Sequence, residues 1–184
     1  KSDFVEAYCN RGNALRDLDQ PKKAIENYDE SIRLKPDFAE AYCNRGNALK
    51  DLDQLKKAIE NYDDSIHLRL DFAEAHYNRG NALNELGNLN EAIKSYQKAI
   101  SINPNNFLFW NGFADVLRLI RFKSYSDDLG YYLIKTLEQK NVRPKNILKA
   151  VISALHHHPI VLHVFRLFTS KHSNKDINYF PTQL

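Results

Sequence analysis

The chain has 184 residues, 43% of them hydrophobic and 27% charged, the balance of a folded globular protein and not of a disordered or collagen-like one. No run of 18 apolar residues is present, which excludes a membrane-spanning helix, and the six glycines form no phosphate-binding loop. The formal net charge of +3 divides unevenly: residues 1–104 carry 15 basic and 18 acidic side chains, net −3, while 105–184 carry 11 and 5, net +6. Two surfaces of opposite sign are therefore expected in the two halves.

Lys1-Ser2-Asp3 opens the chain with no leader of charged and then apolar residues, and Met is absent altogether. The expectation is a segment of a longer protein without a secretory signal. Cys9 and Cys43 are too few for a disulfide framework, so a reducing, cytoplasmic setting is expected.

Shifting the chain by 34 residues against itself aligns 3–36 with 37–70 at 27 of 34 positions, and 71–104 with the second unit at 17 of 34, with no gap. A fixed period of this fidelity is the mark of stacked repeats, and three units are about the minimum for a stable stack. Each unit holds two bursts of helical periodicity. In the second they are Ala41, Tyr42, Ala48, Leu49 and Leu52, then Ala58, Ile59, Tyr62, Ile66 and Leu68. Breaker pairs separate them: Asp19-Gln20, Asp53-Gln54 and Gly87-Asn88. Pro21 follows the first pair, where the opening turn of a helix has free donors anyway. Pro36 and Pro104 close their second helices, because proline disfavours helix in the residue before it. Each unit therefore predicts a helical hairpin, and the three a right-handed stack.

On these residues the unit resembles the tetratricopeptide repeat: Tyr42, Gly46, Leu49, Ala58 and Tyr62 fall at that family's spacing, as do Pro36 and Pro104 in the first and third units. The resemblance spans 3–104 and runs into a partial fourth unit with Trp110, Phe113, Leu117 and Ile120. It implies an all-α fold, a superhelix of three full repeats closed by further helices. Glycine inside a helix costs about 1 kcal/mol relative to alanine, so Gly12, Gly46 and Gly80 need a packing reason. Close approach to Ala24, Ala58 and Ala92 across the hairpin is the one expected. Leu70 departs from the family's terminal proline, which predicts a straighter junction there. Arg11, Arg45 and Arg79 stand where the family carries leucine, and their stems are expected to pack while their heads reach solvent.

Two asparagines recur three residues apart on the first helix of every unit: Asn10 and Asn13, Asn44 and Asn47, Asn78 and Asn81. Residues at i and i+3 share one helix face, and in the tetratricopeptide family that face lines the concave groove. The units are similar to those of the protein O-linked sugar transferases in this respect. Helices roughly 10 Å apart give one rung per about three residues of extended peptide at roughly 3.3 Å each. An amide offers both a donor and an acceptor, so it can pair with a ligand's backbone whatever its side chains. The alternative is that the asparagines only bond neighbouring helices. Glu6, Glu40, Glu74, Asp17, Asp51 and Glu85 lie on or near the same face, with Arg16 and Lys50 as the basic exceptions. Grooves built for acidic C-terminal peptides carry more cations than this, so a neutral or basic extended segment is expected. Tyr8, Tyr42 and Tyr77 are expected in the core.

Cys9 and Cys43 are equivalent residues of adjacent units, near 10 Å apart and beyond the roughly 7 Å reach of a disulfide; they are expected to pack. His156-His157-His158 cannot converge on one ion, since consecutive helical residues point about 100° apart, and the run reads as a turn before Pro159. No nucleophile–base pairing or cofactor loop is present, so no metal, no cofactor and no catalysis are expected.

Beyond 105 the period is lost. Ser126-Asp127-Asp128 predicts a cap and acidic first turn for a helix over 129–139. Pro144 opens another over 145–156 with Ile147, Leu148, Val151, Ile152 and Leu155 as its stripe. A further helix is expected over 160–169, and a loose tail over 172–184. Residues 105–171 are expected to cap the last repeat. This segment (Phe113 to Leu117, Arg121-Phe122, Asn141 to Pro144, Ser153 to Leu155) is similar to a helical segment that joins repeat arrays to methyltransferase-like domains in some bacterial multidomain proteins. The function expected is a non-catalytic scaffold that binds an extended segment of a protein partner. The alternatives are a substrate-recruiting arm of a larger methyltransferase or glycosyltransferase, and a self-associating module. Neither nucleic acid nor membrane is an expected partner, since the basic charges are scattered; a homo-oligomer is possible through the open face of the first hairpin.

Overall fold

The computed structural model describes residues 2–121, 126–139 and 144–159, with the side chains of residues 2, 3, 144–146 and 148 left undescribed. The expected helix over 160–169 and the tail lie outside these residues, as do most of the positions between 121 and 144 that carry the linker resemblance. All regular structure among the described residues is helical. The chain divides into two compact units, 1–116 and 117 onward.

The first unit is three hairpins and a seventh helix. They are α1 (Ser2–Asp17) with α2 (Pro21–Leu34), α3 (Ala39–Asp51) with α4 (Leu55–Leu68), α5 (Ala73–Glu85) with α6 (Leu89–Ile102), and then α7 (Phe107–Leu117). Helices pair within each hairpin, and the second helix of one hairpin packs on the first helix of the next. The breaker pairs act as the sequence requires. Asp53 takes a left-handed φ of 58°, its N–H bonds Lys50 O, and the Gln54 N–H reaches back to Leu49 O. These two bonds satisfy carbonyls that the helix end would otherwise orphan. Asp19 (φ 56°) and Gly87 (φ 82°) form the same closure at the same place in their units.

The second helices end alike whether or not proline follows. Lys35, Arg69 and Asn103 have φ/ψ of −142/90°, −145/95° and −133/83°. The straighter junction expected at Leu70 therefore does not occur. Leu70 is exposed, and the chain turn is fixed by the bonds from Arg69 N–H to Ser65 O and Phe72 N–H to Arg69 O.

At the centre of each hairpin lies one tyrosine, Tyr28, Tyr62 or Tyr96, all but fully buried. This changes the reason for the glycines. A Cβ on Gly12, Gly46 or Gly80 would sit 2.5, 2.6 or 2.8 Å from the Cε1 of that tyrosine. Glycine makes room for a ring rather than for the facing alanine, although Ala24, Ala58 and Ala92 are fully buried as well. Ser31 and Ser65, buried on the second helices, donate to Val5 O and Ala39 O at 2.9 and 2.8 Å and so fasten each hairpin at its open end. Leu68, read as part of the apolar stripe, lies exposed one turn past the last core position.

On α7, Trp110 donates Nε1–H to Pro104 O at 2.7 Å, and a Cβ on Gly112 would meet the rings of Tyr96 and Tyr77. Phe109, Phe113 and Val116 are buried. In the second unit, Ser126 caps α8 (Asp127–Leu137) by accepting from Leu129 N–H at 3.2 Å, as its position predicts. Pro144 opens α9 (Pro144–Leu155). The buried stripe of α9 is Ile147, Ala150 and Ala154, one position off the larger side chains expected, and Leu155 is exposed. His156 and His157 fall in the turn that follows.

Candidate functional site

The first helices α1, α3 and α5 lie side by side in register, because the period is kept without a gap. Their shared face carries the asparagine pairs, and the two members differ in what holds them. The second member is bound within its own hairpin. Tyr28, Tyr62 and Tyr96 hydroxyls donate to the Oδ1 of Asn13, Asn47 and Asn81 at 2.8, 2.8 and 2.7 Å. These tyrosines are buried, and burial holds the phenols above their ordinary pKa of 10.0, with Tyr28 pushed up to about 12. They are hydrogen-bond donors at any physiological pH.

The first member reaches across to the preceding repeat. Asn44 donates Nδ2–H to the Sγ of Cys9 at 3.4 Å, and Asn78 does the same to Cys43 at 3.7 Å. Both thiols are buried and free, and burial pushes Cys43 up to about 12 and Cys9 in the same direction. Each is thus a neutral packing group that steadies an amide. Asn10 has no preceding repeat and stands exposed. The amides are therefore half engaged. Asn44 and Asn78 keep an Oδ1 acceptor, and Asn47 and Asn81 keep an Nδ2 donor, with no protein partner among the described residues.

Further along the same face, charge pairs link successive first helices: Arg16 Nε lies 3.5 Å from Asp51 Oδ2, and Lys50 Nζ lies 3.5 Å from Glu85 Oε1. The two cations of the face are thus already paired. At the next rung stands Asn84, whose Oδ1 is buried with no hydrogen-bond partner. Glu40 is held by Arg69, while Glu6, Asp17 and Glu74 are exposed without an ion pair.

Two expectations are corrected here. Tyr8, Tyr42 and Tyr77 are half-buried and not core; Tyr42 stacks with Arg45, and Tyr77 packs on Tyr96 and Phe109. The core tyrosine is instead the one on each second helix. The heads of Arg45 and Arg79 do not run out to solvent. Arg45 donates to Asn61 and to Asp29, each at 2.6 Å, and Arg79 to Asp63 at 2.6 Å and Ser95 at 2.7 Å. Each arginine so joins its own hairpin to the one before. The recurrence of acid or amide 16 residues from each arginine was the available signal.

Stacked hairpins with a tyrosine core and an amide-lined face of first helices define a helical-repeat protein. The tetratricopeptide repeat matches at 73–106, and a related model of the same repeat matches at 12–53 and 46–87, together more than half of the chain. The chain belongs to the tetratricopeptide-repeat family. Solved structures share the fold: the first repeat domain of Spaghetti (RPAP3) bound to the HSP90 peptide SRMEEVD is 24% identical, with a TM-score of 0.63 over 65% of this chain and 94% of that one. The repeat domain of Arabidopsis OM64 is 25% identical, with a TM-score of 0.63 over 65% and 98%. MamA is 25% identical, with a TM-score of 0.60 over 81% and 77%. No curated protein matches the chain in sequence. Among the described residues no helix is long and apolar enough to cross a membrane.

Proposed function

We propose that the chain is a non-catalytic interaction scaffold that takes an extended segment of a partner protein along the face of α1, α3 and α5. The observation that carries this reading is the division of labour within each asparagine pair. One amide is steadied through its nitrogen and presents an acceptor, and the other is steadied through its oxygen and presents a donor. A peptide backbone offers the complementary N–H and C=O at every residue, and an oriented amide loses less freedom on pairing than a loose one. A donor from such a segment would also satisfy the buried Oδ1 of Asn84. Because Arg16 and Lys50 are paired and Glu6, Asp17 and Glu74 are not, the segment is neutral or basic in this reading, unlike the acidic peptide in the RPAP3 structure.

The test is peptide-display panning of the chain beside the variant carrying Asn10→Ala, Asn44→Ala and Asn78→Ala, with circular dichroism on both. Enrichment of extended, non-acidic peptides by the wild type and their loss in an equally helical variant is the expected result. Equal enrichment by both, or enrichment of acidic C-termini, overturns the proposal.

A further inference from the structure

The first hairpin presents a face that its two successors bury. Along α1, Phe4, Ala7, Arg11, Ala14 and Leu18 lie at i, i+3, i+7, i+10 and i+14, one stripe of the helix. All five are exposed, Phe4 at 65% and Leu18 at 67%. The equivalent alanines of α3 and α5 are Ala41, Ala48, Ala75 and Ala82, each 0% exposed. There the covering element is the second helix of the preceding hairpin. Cys9, Ala24, Tyr28, Ala41 and Ala48 form one core cluster with Ile25, Ile32 and Phe38 against it, and Arg45 closes on Asp29 of α2 at 2.6 Å. The next junction repeats the closure with Arg79 and Asp63 of α4. Arg11 is the same residue in the same register, and it has no ion-pair partner among the described residues.

We propose that the outer face of α1 is a docking surface for a further hairpin of this repeat type, which meets it through a second helix carrying aliphatic residues and an aspartate at the register of Asp29. The molecule specifies this occupant twice over. Two internal copies of the joint show which groups lie on each side, and the dipeptide Asp3-Phe4 that opens the first hairpin recurs as Asp37-Phe38 and Asp71-Phe72 after α2 and α4. A second copy of the chain fits the face less well. Its Asp29 and Asp63 are already engaged by Arg45 and Arg79, Ile93 and Ile100 on α6 are already buried, and two α1 faces would set Arg11 against Arg11.

The experiment places a copy of 37–70 directly ahead of Asp3 in the full chain, which keeps the register of the native junctions. Hydrogen exchange is read along α1. The extension is expected to slow exchange of the α1 amides at least tenfold and to raise the urea midpoint. Arg11→Asp in the extended chain is expected to reverse most of that protection, and Asp63→Arg in the added copy to restore it. Arg11→Asp in the unextended chain serves as the folding control, since an exposed, unpaired side chain leaves the hairpin intact. Unchanged α1 exchange on extension overturns the proposal, as does protection indifferent to the charge swap. Light scattering of the unextended chain across concentrations gives the remaining arm, where a dimer that protects α1 would assign the face to a second copy and sink the proposal.

Discussion

Asn44 and Asn47 are the same residue type on one turn of one helix, yet they differ in what depends on them. Asn47 holds the hydroxyl of a buried tyrosine, so Asn47→Ala leaves Tyr62 with an unpaired donor in the core, a loss of about 1–3 kcal/mol. Asn44 donates only to a sulfur across a repeat boundary, and Asn44→Ala is expected to cost roughly 0.5 kcal/mol, as for most half-exposed sites. Urea denaturation of the two variants measures the difference, and equal losses would mean that the two amides share one structural role. The sequence shows the spacing of these asparagines and the face they share. It does not show which end of each amide is occupied, because the occupant of Asn47 comes from 15 residues away and that of Asn44 from 35. The arginine heads were missed for the same reason. Their partners Asp29 and Asp63 sit in the previous unit, and a periodicity argument treats each unit alone.

At the scale of an element, the hairpin turns were the most legible feature. Asp19, Asp53 and Gly87 occupy one position of the period, and a residue that alternates between aspartate and glycine after a helix marks a left-handed closure. The third unit already carries the residue that this backbone prefers. Asp53→Gly is therefore expected to stabilise the chain by about 0.5–1 kcal/mol, since the left-handed region costs a non-glycine residue roughly 1–2 kcal/mol and glycine's greater unfolded freedom offsets part of the gain. A rise in thermal midpoint without change in helix content is the result that agrees; a fall would mean that the aspartate side chain contributes more than the backbone it strains. The ends of the second helices were less legible. Proline marks two of the three, but the same dihedrals at Arg69 show that the backbone bonds from Arg69 and Phe72 suffice. On α9, the apolar stripe was placed on the large residues, whereas the close packing is made by Ala150 and Ala154. Periodicity weights size, and tight helix contacts favour the small.

Across the molecule, the three core tyrosines make alkaline stability a property of the whole stack. A tyrosine whose folded pKa lies above its unfolded value keeps its proton in the native state while the unfolded chain loses one. Their contribution is complete below pH 10 and is lost as pH rises from there towards the folded values. The expected outcome is that tyrosine absorbance titrates in two stages, exposed rings near 10 and the three buried ones together with loss of helicity. Ionisation of all ten tyrosines in a single step near 10, with helicity retained, would contradict the buried hydroxyl bonds.

The near-identity of the first two hairpins sets a condition on how the chain folds. With 27 of 34 residues in common, α1 meets in α4 almost the same surface that it meets in α2, so contact energy barely distinguishes the right partner from the wrong one. Connectivity does. Pairing α1 with α2 closes a loop of 3 residues, and pairing it with α4 closes one of 37. The difference in closure entropy favours the neighbour by about 2 kcal/mol. Topology in this half of the protein is thus chosen by distance along the chain. A break between residues 18 and 20 would remove that choice and set the two helices competing for one another as free fragments.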